Sequence, residues 1–449
     1  MPVDTRHAQY KARVDQWTRC RDVVEGSDAV KSKSIKYLPK LGGQTDIEYI
    51  AYKRRALFFS VAGRSLSGLV GMMTRKPPII DKPDDLTPFF DDATGSRYSF
   101  YEVFRDATNE LLMVGRYGLL IDWPAEGGQP YLSTYVTENI LNWFVKNDVL
   151  VGVVLREYYM TSDPRDQFSQ IETVRYRHLQ LINGIYYQSV YDDKLALYTP
   201  PHAVLVRGSP LTEIPFYIVN PNGISVDPVK PPILDIVDIN LSMYINSADL
   251  EHGRHFTALP TPVVTGAPSD SVLKIGSQTA WIIPNEKAKA YYLEFLGSGL
   301  NTLENAIKEK TSHMAQFSAR LMDTSTRGSE AAETVKLRHS SEATTLTGVA
   351  VALENVFNKI YKSIAKYIGL DENSVNISLN KDFLSTQLSA AELRELTKAY
   401  LEGAIDEETY FYNLERGELT PETKRLFQTF KSTEPKPGTP TASTGTTTP

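Results

Sequence analysis

Only one cysteine, Cys20, stands among the 449 residues of this chain. A single thiol excludes an internal disulfide and any cysteine cage for zinc within one chain, and it fits synthesis in a reducing compartment. Long apolar runs are lacking as well. The most apolar early window, FFSVAGRSLSGLVGMM at 58–73, carries Arg64 and falls short of the roughly 20 residues a membrane span requires. It reads as a packed helix rich in small residues, and no membrane is expected among the partners. The start, MPVDTRHAQYKARVDQW, has no apolar segment of the kind a secretory signal carries. Positive charge is not in excess: 48 Lys and Arg stand against 54 Asp and Glu, a formal net charge of −6. Such a chain does not grip nucleic acid with its whole surface, so any contact of that kind is expected from local patches.

Catalytic signatures are also scarce. No G-x-x-x-x-G-K-[ST] is present, so no P-loop ATPase is encoded, and GRSLSG at 63–68 has neither the spacing nor the strand-to-helix setting of a nucleophile elbow. Carboxylate pairs such as Asp91-Asp92 and Asp192-Asp193 sit in turn-like contexts. The nearest approach to a constellation is EHGRH at 251–255. His252 and His255 share a helix face, but the order matches neither H-E-x-x-H nor H-x-x-E-H, and no third ligand stands nearby. A metal-dependent hydrolase using Glu251, His252 and His255 is the enzymatic alternative. The expectation is no enzyme, no cofactor and no metal, with these residues at the polar end of a helix, where His and Arg complement the macrodipole.

What is present is an ordinary folded composition, 41% hydrophobic and 23% charged, on a chain longer than one core usually serves. Helical periodicity predicts helices over 5–25, from Asp46 to Thr74 and over 99–115, the second ended by the prolines of RKPPII. From Tyr117 the period becomes that of strands. YGLLIDW, YLSTYV, ILNWFVKN, VLVGVVLREYYM, TVRYRHLQLING, IYYQSVY, HAVLVRG and FYIVN predict one antiparallel meander, with a type I′ turn at Asn183-Gly184. A helix over 231–258, a β segment over 260–297, a helix over 300–322 and a long helix over 330–368 follow. The last is expected to kink in SSEATTLTG (340–348) and then to present Val349, Leu353, Val356, Phe357, Ile360, Ile364 and Ile368 as one apolar face. A strand, SVNISLN (374–380), and helices at 389–402 and 406–415 come next. The polar end, 432–449, is predicted to be disordered. The fold class is α+β.

Lys308, Arg320, Arg327, Lys336 and Arg338 bracket the loop at 323–330, each beside acids such as Glu304, Glu309, Asp323, Glu330 and Glu333. This spacing by itself favours a salt-bridged, solvated helix face; the alternative is a contact with a phosphate backbone, which needs charge but no base-reading geometry.

The order helix, β insert, helix, polar loop, long helix resembles the core of tailed-bacteriophage portal proteins. The wording is similar to a portal-like subgroup first catalogued as a domain of unknown function. The resemblance rests on YLPKLGGQTDIEYIAYKRRALFFSVAGRSLSGLVGMMTRKPP (37–78), NPNGISVDPVKPPILDIVDINLSMYINSADLEHGRHFTALPTPVVTG (220–266) and GSEAAETVKLRHSSE (328–342), and it covers roughly residues 35–425.

It implies a wing at 1–228, a first stem helix at 229–258, a clip at 259–298 and a second stem helix at 299–322. A tunnel loop at 323–330, a long kinked helix with a wing strand at 331–388, a short helical crown at 389–431 and the tail at 432–449 complete the expected organisation. The implied function is a ring, commonly of twelve copies, at one capsid vertex of the virion, assembled in the host cytoplasm. Double-stranded DNA passes through such a ring during packaging, retention and ejection. The partners implied are that DNA, the large terminase subunit and then a head-tail adaptor at the clip, the major capsid protein and a scaffolding protein. Lys308, Arg320, Arg327, Lys336 and Arg338 become candidates for the DNA tunnel, and Asp323, Thr324, Ser325, Thr326, Arg327 and Gly328 for its loop. Val264, Lys274, Trp281, Lys287 and Tyr291 become candidates for the terminase or adaptor interface. A head-tail adaptor or minor head protein is the neighbouring alternative.

Overall fold

The computed structural model describes residues 2–124, 128–257, 261–266, 287–293, 298–322, 332–381, 383, 390–406, 409–410 and 413. They fall into two compact units divided after Lys381. In the first, α1 (Ala8–Glu25) buries Tyr10, Trp17, Cys20 and Val23. Burial pushes the Cys20 thiol up to about 12, so it behaves as a small apolar side chain. After the short α2 (Ser27–Ser32), the helix expected from Asp46 to Thr74 is two helices, α3 (Asp46–Arg55) and α4 (Val61–Met73). Thr45 and Glu48 form a capping box at the start of α3.

The break falls in LFFS, which holds neither Gly nor Pro, and its cause is distant in sequence. The Asn240 carboxamide accepts from the backbone N–H groups of Val61 (3.1 Å) and Ala62 (3.0 Å) and donates to the Phe59 carbonyl (2.8 Å). One buried side chain thereby satisfies the start of α4.

RKPPII does more than end a helix. Its last residues open β1 (Ile79–Asp81), whose partner is the expected strand near 374–380. α5 (Thr87–Asp91) and α6 (Phe100–Val114) follow, the latter capped by Ser99 and Glu102 and ended by Gly115 in the left-handed region.

The strands are β2 (Tyr117–Asp122), β3 (Tyr131–Val136), β4 (Ile140–Lys146), β5 (Val149–Asp163), β6 (Asp166–Ile182), β7 (Ile185–Tyr191), β8 (Leu197–Ala203), β9 (Leu205–Val206), β10 (Ser209–Pro210), β11 (Phe216–Asn220) and β12 (Gly223–Ile224). They do not form the single meander that their spacing predicts. The order β4-β5-β6-β7-β8 is a meander, while β12-β11-β2-β3 is a separate sheet. Burial explains the split: β2 and β11 are buried at every position, and strands apolar on both faces pair with each other at the centre of a layer. The Asn183-Gly184 turn forms as predicted, with φ of 51° and 78°. A second two-residue turn, Asn147-Asp148, with φ of 51° and 60°, joins β4 to β5.

The two sheets are locked together by a buried ionic cluster. Arg177 on β6 pairs with Asp122 on β2 and with Glu157 on β5 (2.9 Å). Glu157 also accepts from the hydroxyls of Tyr135 (2.6 Å) and Tyr159 (2.7 Å).

α7 (Leu234–Thr257), β13 (Thr261–Thr265), β14 (Lys289–Leu293), α8 (Ser298–Met322), α9 (Ala332–Ile368) and β15 (Asn376–Ser378) complete the first unit. α9 is assigned as one helix through 340–348. From Val349 to Ile364 the predicted face is buried, with Ile368 half-buried at its end. Phe357 and Tyr361 meet Phe100 of α6 edge-on at 5.0 and 5.5 Å, and Phe90 of α5 stacks on Tyr361 at 4.0 Å. In the second unit α10 (Ala390–Leu401) agrees with the helix expected at 389–402. The helix expected at 406–415 lies mostly, and the tail at 432–449 wholly, outside the described residues.

Candidate functional site

α7 and α8 pack as an antiparallel pair. Their 24 and 25 residues each span roughly 36 Å at about 1.5 Å per residue. Near the far end of α7, a Cβ on Gly253 would fall 2.5 Å from Leu300 Cδ2, so glycine lets α8 come close there. The next residue, Arg254, bridges Glu251 and Glu304, both at 2.8 Å. Nearer the body, Lys310 of α8 donates to Ser242 Oγ at 2.7 Å and to its carbonyl at 3.2 Å. Burial holds the Lys310 ammonium below the ordinary lysine range. Two polar pins thus link the helices, one near each end of their contact. At their tip β13 and β14 form an antiparallel ribbon in which Val263 opposes Tyr291 and Val264 opposes Ala290.

The pair is rooted in the N-terminal helices. Asn240 sits at the α3–α4 break, Arg19 pairs with Asp238 at 3.0 Å, and the Tyr52 hydroxyl donates to Asp249 at 2.6 Å. EHGRH belongs to this rooting. His252 Nδ1 lies 3.1 Å from an Arg55 nitrogen and its ring meets Tyr52 edge-on at 5.2 Å. Burial, reinforced by Arg55, holds its pKa below the ordinary histidine value. Glu251 is taken by Arg254. Among the described residues no three His, Cys, Asp or Glu side chains come together as a metal would require. Gly253 serves the helix crossing.

The residues singled out from sequence are scattered along these elements. Lys308 is exposed on α8, and Glu304, its expected acidic neighbour, is engaged by Arg254. Arg320 lies in the last turn of α8, and Lys336 and Arg338 lie in the first two turns of α9. Arg327 and the whole stretch Asp323, Thr324, Ser325, Thr326, Arg327 and Gly328 lie outside the described residues, as do Lys274 and Trp281. Lys287 is exposed beside β14. Val264 is half-buried and Tyr291 half-exposed, and since they are offset by one position in register they face opposite sides of the ribbon. Sequence reasoning passed over Lys310, Asn240, Tyr52 and Arg55. Hydropathy does not reveal which polar residue turns inward, although a lone Asn among apolar neighbours, as in DIVDINLSMY, is a usable signal.

Residues 232–368 match a family model, described as a domain of unknown function (DUF4055). The segment holds both helices of the pair, the ribbon and all of α9. It is a family of the kind to which the wording of 220–266 and 328–342 pointed. No curated protein matches the sequence. Solved structures similar to it include a chain from the virion of a native gene transfer agent (GTA) particle. That chain is 13% identical over 85% of this chain and 97% of its own length, with a TM-score of 0.41. A chain from the neck of a native GTA particle with C12 symmetry is 11% identical over 86% and 98%, with a TM-score of 0.41. An HK97-family phage portal protein from Corynebacterium diphtheriae is 11% identical over 72% and 92%, with a TM-score of 0.30.

Proposed function

We propose that this chain is the subunit of a portal ring, a non-enzymatic conduit for double-stranded DNA at one vertex of a phage-type capsid. The observation that carries the reading is the antiparallel α7–α8 pair, with a β ribbon at its tip and its base pinned to the body, running on in sequence to the long α9. α7 is fixed to the N-terminal helices from Asp238 to His252, which leaves its last turn and the ribbon to meet other proteins. Repeated around an axis, such pairs line a channel. The sequence resemblance, in three separated stretches in the right order, supports the same reading.

In this reading α7 and α8 are the stem, 259–298 the clip and 323–330 the tunnel loop. Residues 1–228, with α9 and β15, form the wing, and 389–431 a short crown. The large terminase subunit and then a head-tail adaptor dock at the clip, through Val264, Lys274, Trp281, Lys287 and Tyr291. The outer ring meets the major capsid protein and a scaffolding protein. Twelve copies of a chain of net charge −6 repel a duplex on average. Repulsion suits a conduit, because each firm phosphate contact adds a barrier to sliding. Lys308, Arg320, Arg327, Lys336 and Arg338 are then the local exceptions that centre or brake the DNA.

The test is the assembled particle. Purified full-length chain viewed down its axis should be a ring with an open centre wide enough for a duplex. A compact monomer under all assembly conditions, or a closed oligomer, overturns the proposal, and an open assembly lacking a continuous channel favours the adaptor reading.

A further inference from the structure

The chain's charge is acidic in sum but uneven in place. Residues 31–55 hold seven basic residues, Lys31, Lys33, Lys36, Lys40, Lys53, Arg54 and Arg55, against Asp46 and Glu48. They make one surface. The Lys53 ammonium donates to Ser34 Oγ at 2.9 Å, and the Tyr49 hydroxyl donates to the Leu38 carbonyl at 2.9 Å. The ammonium groups of Lys36 and Lys40 lie over the rings of Tyr37 and Tyr49, at 5.5 and 5.7 Å. Of these bases Lys31, Lys36, Lys53, Arg54 and Arg55 have no carboxylate partner among the described residues. Three isoleucines stand exposed among them: Ile35 at 57%, Ile47 at 82% and Ile50 at 52%.

A second surface of the first unit has the opposite sign. Residues 79–92 hold Asp81, Asp84, Asp85, Asp91 and Asp92 against a single base, Lys82. That lysine is turned onto Thr87 and the Phe90 ring. Asp81, Asp84, Asp85 and Asp91 are exposed, and so is Ile79 at 59%. This segment is anchored to α9 through Phe90 on Tyr361, whereas the basic surface is anchored to α1 and α7, through Asp22 and through Asp249 and His252. No ion pair joins the two among the described residues.

We propose that the basic, isoleucine-bearing surface of 33–55 on one copy seats against the acidic segment 79–91 of the next copy. The inference rests on the ring reading and names the surfaces that make the ring. Two different, complementary patches form a head-to-tail contact, the kind that closes into a ring when the rotation per copy allows it. The isoleucines favour a protein over a duplex as occupant. Phosphates would satisfy the bases but leave Ile47 and Ile50 in water, whereas a protein surface buries apolar side chains inside a charged rim.

The test uses the full-length chain and three variants: K36E/R54E, D85K/D91K and all four substitutions together. Each side chain changed is exposed or on the rim, so folding is checked by circular dichroism and by the thermal midpoint. Assembly is followed by mass photometry at physiological salt. Each two-residue variant should need a concentration on the order of tenfold or more higher to assemble, because like charges then face each other. The four-residue variant should recover assembly. A wild type that forms rings while both two-residue variants form them equally well overturns this inference and leaves the ring reading standing. So does a folded four-residue variant that stays dispersed, and so does a K36E/R54E ring of normal stability that has lost duplex binding. A wild type that never assembles overturns both.

Discussion

Two helical regions of the first unit are held in different ways. The second half of α9 lies in an apolar bed: Val349, Leu353, Val356, Phe357, Ile360, Tyr361 and Ile364 are all buried, and aromatic rings from α5 and α6 close on them. In the α7–α8 pair such a bed runs along α7 only as far as Leu250. Beyond Leu250 the helices are joined by Gly253 against Leu300 and by Arg254 between two carboxylates, and α7 is still tied to α3 through His252. Apolar packing resists any change of shape, because every displaced methylene loses contacts. Polar pins at a surface exchange with water at little cost. The body therefore behaves as a fixed frame, and the last turn of the pair, past His252, with its ribbon is the part that partners can displace.

The sharpest way to break this comparison is to cut into the bed. Phe357→Ala removes a fully buried ring that touches Phe100 and Phe104, and should cost about 3–5 kcal/mol, read as a large fall in the thermal midpoint of the first unit. If the loss is no greater than that from altering a pin on the pair, the contrast between the regions is wrong. Next comes Arg177→Met. It leaves Asp122 and Glu157 buried without their cation, and a loss of about 3 kcal/mol is expected in denaturant titration. Restoring charge balance with Asp122→Asn and Glu157→Gln in the same chain should recover part of it.

Asn240→Ala tests the joint between pair and frame. Two backbone N–H groups and one carbonyl lose their partner, for an expected cost of about 1–3 kcal/mol. Hydrogen exchange should rise first at Val61 and Ala62. Exchange that rises uniformly over the unit would mean that Asn240 is ordinary core and not a joint.

The same contrast governs what was legible in the sequence. The apolar face of α9 and the turn at Asn183-Gly184 were readable because local period and local backbone chemistry decide them. The break after Arg55 was not, since its cause is Asn240, a side chain 179 residues beyond Val61. Likewise, strand identity could be read from β-branched and aromatic runs, but the exchange of partners that puts β2 beside β11 depends on burial of both faces, which only the assembled layers fix. At the candidate site, the helix pair and its ribbon followed from the change of period at 260–297. The inward turn of Lys310 did not, because Lys308 and Lys310 look alike in sequence and differ only in what stands opposite. The basic surface at 31–55 was hidden by the net charge of the whole chain, which averages it against the acids of 79–92.

The smallest expected effect concerns pH, and it too separates frame from pair. Burial lowers the pKa of His7 and His178, and burial together with Arg55 lowers that of His252. A histidine depressed in the folded state binds more protons when unfolded, so stability falls as the pH drops through the unfolded value of about 6.5 and below it. Asp106 and Glu110, whose carboxyls are raised by burial, act in the opposite sense but nearer the carboxylate range, so the histidine effect should dominate between about pH 7 and pH 5.5. The thermal midpoint of the wild type should therefore fall modestly over that interval. His178→Gln, on β6 in the five-stranded sheet, should remove part of the slope for the body. His252→Gln should instead flatten the pH dependence of proteolysis in α7 and α8 while leaving the body's slope intact. If His252→Gln alters both slopes equally, the far end of the pair unfolds with the frame and the two regions are one cooperative unit.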